Sequence, residues 1–533
     1  MDTRAVWTPT AEGHPRRWAI LGTLVVSLLV VVLDNTVLNI ALPTIQQDLG
    51  ATQSQLVWAV DSYILVFAAL LFTWGVLGDR YGRRLVLVIG LLVFVGASVA
   101  CAFSVNAAML IGFRALMGVG GAAVMPVTLA IITVVFPPHE RGRAIGAWAG
   151  AVGAAVALGP VLGGLLLENP SWSSWLTGND WGSVFLINVP IVAAGLVGIA
   201  RVVPETRNPH PQALDVSGLA ISFVGLVSLI FGIIRASDTR DWTDPTVVVP
   251  IVFGLAAIAL FLVLEARSDH RSFDVGLFAN RGYAVSLTAV SLAFFALSGI
   301  TFTLPFFLQV LRGYTTLQAG LCFLPFAIGQ LLAAPRSATT VVRFGYRKVM
   351  TGGLLLVGVA SIALTQVELS TPLWALLLVF FVFGFGMGNV VAPASTLLQN
   401  VLPLARAGAG SAVQNTVRQV FGALGVAIIG TVLATQFASG VADVLAPLPP
   451  QAQEAAQQSV VAAVGVLDAA QAQGLPADVA EQLRAGTYEA FLDASHLTSA
   501  ISATVVLLAA AVVGLLLPTI APLTRVRPPA SGS

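Results

Sequence analysis

Gly75-Val76-Leu77-Gly78-Asp79-Arg80-Tyr81-Gly82-Arg83-Arg84 separates two apolar runs, 56–77 and 85–104. Each run is about 20 residues long, the length a helix needs to cross a bilayer. The connection is too short to hold anything but a turn, and its glycines permit a tight one. Three arginines beside lipid mark a cytoplasmic loop. The stretch therefore reads as the turn between two antiparallel membrane helices.

The same pattern extends over the whole chain. Of 533 residues, 57% are hydrophobic and 10% charged, with a mean hydropathy of +0.90. A soluble domain carries roughly a quarter charged residues. In lipid only helices and closed barrels satisfy the backbone, and these runs lack the alternation of a barrel strand. The expected class is an all-α polytopic membrane protein. The runs predict fourteen spans: 18–44, 56–77, 85–104, 107–135, 145–167, 183–203, 216–234, 247–265, 284–311, 318–341, 349–367, 373–399, 409–434 and 498–520. Arg16 and Arg17 before the first run imitate a signal peptide. The run is too long for one, contains Asp34 and lacks a cleavage site, so it reads as a retained span.

With fourteen spans both termini lie on one side. Of the 26 basic residues, all but Lys348 arginine, twenty fall on that side and four on the other. The positive-inside rule makes that side cytoplasmic. The last two, Arg114 and Arg418, lie inside spans. The arginine bias itself points to a GC-rich bacterial genome, and the localisation expected is the cell membrane. Cys101 and Cys322 lie in apolar runs and suggest no disulfide, and the five histidines lie in loops or at span ends. No metal, cofactor, nucleotide or nucleic-acid site is expected.

A repeat at an offset of about 265 residues divides the chain. Met125-Pro126 to Val135-Phe136-Pro137 recurs as Ala392-Pro393 to Val401-Leu402-Pro403. Asp79 to Arg84 is echoed by Arg343 to Lys348, and Pro43 by Pro305. Expected domains are a tail (1–17), a six-helix bundle (18–203), a two-helix insertion with its linkers (204–283), a second six-helix bundle (284–520) and a tail (521–533). The second bundle would carry a long outer loop, 436–495, with one or two short surface helices.

Four motifs carry chemistry. The first is Leu33-Asp34-Asn35-Thr36-Val37-Leu38-Asn39-Ile40-Ala41-Leu42-Pro43. A carboxylate within the membrane costs about 2.5–3.5 kcal/mol on insertion scales, so Asp34 is a functional candidate, here to bind and release a proton. A structural hydrogen bond to a neighbouring helix is the alternative. The second is the Gly75–Arg84 turn, where Asp79 can face a helix N-terminus and the arginines can hold acidic partners across the bundle interface. The third is Arg114-Ala115-Leu116-Met117-Gly118-Val119-Gly120-Gly121. Arg114 is about 7 residues, or about 10 Å, into its span, at a depth where it can meet Asp34. The fourth is Gly153 through Gly159-Pro160-Val161-Leu162-Gly163-Gly164, small residues for close packing with a proline that bends the helix.

Together these motifs resemble the fourteen-span drug:proton antiporters of the major facilitator superfamily, over nearly the whole chain. The resemblance implies two six-helix bundles plus two additional helices and proton-coupled export of amphiphilic drugs or antibiotics by alternating access. It makes Asp34 and Arg114 the proton-coupling pair. Gly75, Asp79, Arg80, Gly82, Arg83 and Arg84 become a conformational latch, and Gly153, Gly159, Pro160, Gly163 and Gly164 the motif typical of antiporters. Two departures stand out: Met117 replaces a frequent glutamine, and the second-half loop lacks the acid. The expected cavity lies between the bundles, with candidate lining Asn39, Asp61, Phe294, Phe295, Phe302, Phe306, Gln309, Gln330, Asn389, Asn415 and Arg418. Asp61 is expected near the outer end, where a solvated position at the cavity mouth and a binding role are equally open. The expected partners are a small amphiphile, protons and lipid, with the chain acting as a monomer and not as an enzyme. The alternatives are a dedicated exporter of one endogenous product and, behind it, a proton-coupled importer.

Overall fold

The first apolar run forms α1 (Arg17–Leu49), which ends where Gly50 takes a left-handed φ of 59°. Thr52 then opens α2 (Gln53–Tyr81) with a reciprocal cap: its hydroxyl accepts from the Gln55 N–H, and the Gln55 side chain accepts from its N–H. Gly82, at φ 123°, reverses the chain so that α3 (Arg83–Ala102) starts at the next residue. α4 (Ala107–Val135) and α5 (Pro138–Glu168) contain Pro126 and Pro160 in their interiors. Two single-turn helices, α6 (Ser174–Thr177) and α7 (Ser183–Leu186), lead into α8 (Asn188–Val202). The computed structural model describes residues 12–207, 216–239, 241–267, 275–400 and 407–518. The expected tail 521–533 lies outside them.

The remaining helices are α9 (Val216–Thr239), α10 (Pro245–Arg267), α11 (Arg281–Phe306), α12 (Thr316–Leu321), α13 (Leu324–Leu364), α14 (Leu373–Asn400), α15 (Ala407–Val444), α16 (Pro450–Ala456), α17 (Val460–Ala472) and α18 (Ala477–Leu516). Among the described residues, eleven helices are long and apolar enough to cross a membrane. One of these, Thr316–Leu364, turns at Gly345, whose φ of 80° is non-helical, and so makes two crossings. α5 and α9, 31 and 24 residues long, carry the shorter apolar stretches Leu158–Glu168 and Ala220–Ala236 and lie where the other two of the fourteen spans are expected.

The repeat has a structural counterpart. Thr315 and Gln318 cap α12 as Thr52 and Gln55 cap α2. Gly345 matches Gly82 as the positive-φ turn, and Pro305 in α11 and Pro393 in α14 match Pro43 in α1 and Pro126 in α4.

Between the halves, α9 and α10 form a hairpin whose glycines let the backbones approach. A Cβ on Gly225 would lie 3.1 Å from Ala257, and one on Gly232 would lie 2.8 Å from the Val247 carbonyl. α9 docks against α2 and α15. Phe231 meets Trp58 at 6.3 Å between ring centroids, and the Thr431 hydroxyl donates to the Ile233 carbonyl at 3.2 Å. Only 17% of the apolar window of α10 is buried, so most of that helix faces lipid.

The expected outer loop 436–495 is corrected. α15 continues to Val444 and α18 already begins at Ala477, leaving α16 and α17 as a small cap between them. Past the lipid a helix needs no apolar face outward, only packing partners. Here Phe437 of α15 meets Phe491 of α18 edge-on at 6.3 Å.

Candidate functional site

Asp34 and Arg114 meet inside the first half. Asp34 is 2% exposed and Arg114 fully buried, and an Arg114 guanidinium nitrogen lies 2.5 Å from Asp34 Oδ2. Arg114 Nε donates to the Ala59 carbonyl at 3.1 Å, and the guanidinium carbon sits 4.4 Å from the centroid of the Tyr63 ring. On the other side, Asn188 Nδ2 donates to Asp34 Oδ1 at 3.2 Å and to Ser98 Oγ at 2.9 Å. The Ser98 hydroxyl in turn donates to the Phe185 carbonyl at 2.9 Å. Arg114 of α4 and Asn188 of α8 thus bond the Asp34 carboxylate of α1 directly, and α2 and α3 hold those two partners in place. A buried ion pair repays the desolvation of its charges only when its remaining groups are also bonded, and here the added donors and acceptors serve that need.

The glycines after Arg114 explain this convergence. A Cβ on Gly118 would lie 2.6 Å from the Tyr63 carbonyl, and one on Gly121 would lie 2.8 Å from the Tyr63 hydroxyl. Bare backbone on α4 lets α2 press close enough to lay Tyr63 on Arg114. Met117 is fully buried with its sulfur 3.5 Å from the Cys101 thiol, so this turn of α4 offers the cluster no polar group.

The α5 glycines touch the same helix that carries Asp34. A Cβ on Gly159 would collide with the Thr36 side chain, and one on Gly163 would lie 3.1 Å from Val37. The other face of α5 meets α12: the Pro160 carbonyl abuts Gly320, and the Thr316 hydroxyl donates to the Gly164 carbonyl at 3.2 Å. α5 therefore sits as a wedge between α1 of one half and α12 of the other. The surroundings of Gly153 lie outside the described residues.

The Gly75–Arg84 turn is held within its own half. Asp79 Oδ1 pairs with Arg83 at 2.7 Å, one helical turn apart and not across the bundles. The acid that faces a helix N-terminus is Glu205, not Asp79. Its carboxylate accepts from the backbone N–H groups of Arg84 at 3.0 Å and Leu85 at 3.2 Å, at the start of α3. Gly82 is required there twice, by its φ and because a Cβ would lie 2.7 Å from that carboxylate. Arg84 also reaches the Ala200 carbonyl at 3.4 Å, Arg80 lies over Tyr81 at 5.7 Å, and Gly75 leaves room for Pro126.

The expected cavity residues divide. Asn39, Gln330, Asn389, Asn415 and Arg418 are partly exposed. Asn39 and Asn389 donate to carbonyls of their own helices, and the Arg418 guanidinium lies 4.8 Å from the Phe294 ring with its Nε unpartnered among the described residues. Phe302 is corrected to a core residue, fully buried and packed on Phe306 at 6.0 Å, and Phe295 and Phe306 are buried with it. Gln309 donates to the Ile40 carbonyl at 2.9 Å and so bridges the halves. Asp61 is corrected too. It is fully buried, and neither carboxylate oxygen has a partner among the described residues. The reason is that α9 and α15 cover this end of α2: a Cβ on Gly430 of α15 would lie 2.6 Å from Val57.

These bridges share a location. The Gln309–Ile40 and Thr316–Gly164 bonds, the Pro160–Gly320 approach and the Gly430–Val57 contact all join the halves at the end away from the termini. These contacts hold the two halves together at that end.

Asn188 and Glu205 escaped the sequence reading. Asn188 interrupts the apolar run Val184 to Leu196, and Glu205 is an acid at the arginine-rich end of a span. Both signals are present but look ordinary beside Asp34.

The Major Facilitator Superfamily profile matches residues 24–426. The chain is 35% identical over 516 residues to the multidrug efflux pump LfrA of Mycolicibacterium smegmatis, covering 96% of this chain and 99% of that protein. It is 30% identical over 509 residues to the tetracenomycin C resistance and export protein of Streptomyces glaucescens, covering 95% and 92%. Among solved structures, a bacterial homologue of the human lysosomal transporter Spinster, inward-facing and occupied, aligns with a TM-score of 0.66. That match has 16% identity and covers 95% of this chain and 98% of that one.

Proposed function

Because this chain belongs to the Major Facilitator Superfamily, we propose that it is a proton-driven exporter that moves amphiphilic drugs or antibiotics outward by alternating access. Export is supported by its relatives, a multidrug efflux pump and an antibiotic resistance and export protein. The observation that carries proton coupling is the buried Asp34–Arg114 pair, at the junction of five helices and one turn from the α5 wedge. The protein is a multi-span membrane protein. The arginine asymmetry supports cytoplasmic termini, so the end at which the halves are joined faces outward. No cofactor is involved, and the working unit is a monomer in the cell membrane.

In this reading an amphiphile loads from the cytoplasmic side while Asp34 is ionised and paired. After the halves rock over, a proton from outside adds to the Asp34 carboxylate. The carboxyl becomes neutral, and Arg114 keeps the Ala59 carbonyl and the Tyr63 ring as its contacts. The amphiphile leaves outward. On return the proton is lost inward and the ion pair re-forms. The change at the cluster, from a neutral ion pair to a net positive charge, is what the transporter uses to choose between its two arrangements.

The test is dye uptake into respiring inside-out vesicles, with one cationic and one uncharged dye. Uptake by native protein that an uncoupler abolishes, and that Asp34→Asn lacks, is the expected result. Uncoupler-sensitive uptake that survives Asp34→Asn moves the proton site to another acid, with Asp61 next. The similarity to the tetracenomycin C exporter supports a second reading, a pump for one endogenous product. Folded protein that takes up neither dye would favour it.

A further inference from the structure

The Asp34 cluster contains a residue that the motifs do not account for. Asn188, fully buried, opens α8 just past the break that separates it from α7. Its amide makes two donor bonds, to Asp34 Oδ1 and to Ser98 Oγ, and leaves its own Oδ1 with no partner among the described residues. The orientation is forced. The Ser98 hydrogen is already given to the Phe185 carbonyl, so Ser98 Oγ can only accept from Asn188. Turned the other way, the amide would set an oxygen against a carboxylate oxygen. A buried acceptor is left unsatisfied so that both N–H groups can be used, which marks a residue placed for what it donates.

We infer that Asn188 is a positioning residue that holds the Asp34 carboxylate in its pairing with Arg114. The inference rests on the reading of Asp34 as the proton site. A hydrogen bond to a carboxylate is stronger than one to a neutral carboxyl, so the bond from Asn188 tightens when Asp34 is ionised and slackens when it is protonated. The Ser98–Phe185 chain holds that donor in place and ties α3 and α8 to the charge state of α1. The other titratable groups facing the cluster are Arg114 from α4, Tyr63 from α2 and Cys101 from α3. α5 offers only Gly159 and Gly163 at Thr36 and Val37. Of these, only Arg114 also stabilises the carboxylate by direct donation.

The test needs no substrate. Infrared spectra of the purified full-length protein would be titrated with pH, and the protonated-carboxyl band assigned to Asp34 by its absence in Asp34→Asn. In Asn188→Leu, which keeps the volume and loses the donor, the midpoint of that band is expected to rise by about one pH unit. Ser98→Ala should move it the same way by less. An unchanged midpoint in folded Asn188→Leu would overturn the inference while leaving Asp34 as the proton site. Should Asn188→Leu fail to fold, the smaller Asn188→Val, which also lacks the donor, decides. A native midpoint in folded Asn188→Val overturns the inference. Absence of any Asp34 band across the titration sinks the proton-site reading, and Asn188's role with it.

Discussion

Gly159 of α5 lies so close to Thr36 of α1 that a methyl group on the glycine would overlap the threonine hydroxyl. Thr36 is two residues from Asp34, so the packing of α5 bears directly on the turn that carries the buried acid. Gly159→Ala should force α5 off α1, at about 1–3 kcal/mol for overpacking a close contact. Detergent-solubilised protein should melt several degrees lower, and efflux should drop at least about tenfold. Thr36→Ala removes the nearer clashing atom and should recover part of both losses. A Gly159→Ala protein with native melting and native efflux would show that α5 does not wedge against α1.

Arg114 and Asp34 should behave as one unit. Arg114→Leu leaves a buried carboxylate facing no cation, and breaking a buried pair from one side costs about 3–5 kcal/mol. Removing both charges together, Asp34→Asn with Arg114→Leu, should cost clearly less than the two single changes added. Thermal unfolding of the four proteins closes this cycle. Additive losses would mean that the two side chains do not interact in solution.

Membrane folding was legible here because its signal is local. Each span declares itself as a run of about 20 apolar residues, and the Asp34–Arg114 meeting followed from counting depth along two such runs. The failures have non-local causes. A solvated mouth position stayed open for Asp61 because hydropathy cannot reveal that α15, some 370 residues away, closes over it. Phe302 looked like a cavity aromatic for the same reason. The segment 436–495 was read as a loop with one or two short helices, and not as extensions of its flanking spans, because hydropathy stops at the lipid boundary and helices do not. Asn188 passed unnoticed because an uncharged amide in an apolar run stands out less than a charge does. Glu205 contacts a turn about 120 positions earlier, a partnership that no local window contains.

Glu205 should matter more than its surface position suggests. Its carboxylate accepts the first free N–H groups of α3 and also faces the Thr206 N–H at 3.0 Å. Glu205→Ala leaves those donors unsatisfied and removes a charge from the positive end of α3, for a loss of about 1–2 kcal/mol. Glu205→Gln keeps one acceptor and should cost about half as much. Gly82→Ala should be worse than either, since it adds both a left-handed strain and a collision with the carboxylate. Melting temperatures rank the three, and any other order would move the capping role away from Glu205.

His14 should make the N-terminal attachment sensitive to acid. Its backbone N–H donates to the Val135 carbonyl at 2.8 Å, its Nδ1 accepts from the Arg16 N–H at 3.1 Å, and Gly13 at φ 72° packs against Pro137. These contacts pin the chain before α1 to the turn between α4 and α5. Burial, together with the neighbouring Arg16 charge, holds the imidazole below its ordinary value of 6.5. The folded protein therefore binds this proton less well than the unfolded chain does. The stabilisation is fully present above about pH 6.5 and is lost as the pH falls below it toward the lowered value. Native protein should lose a few degrees of melting temperature over that range, and His14→Asn should remove the part of the slope that His14 supplies. The neutral side chain of the variant has nothing to titrate, so an identical slope in both proteins would place the acid sensitivity elsewhere.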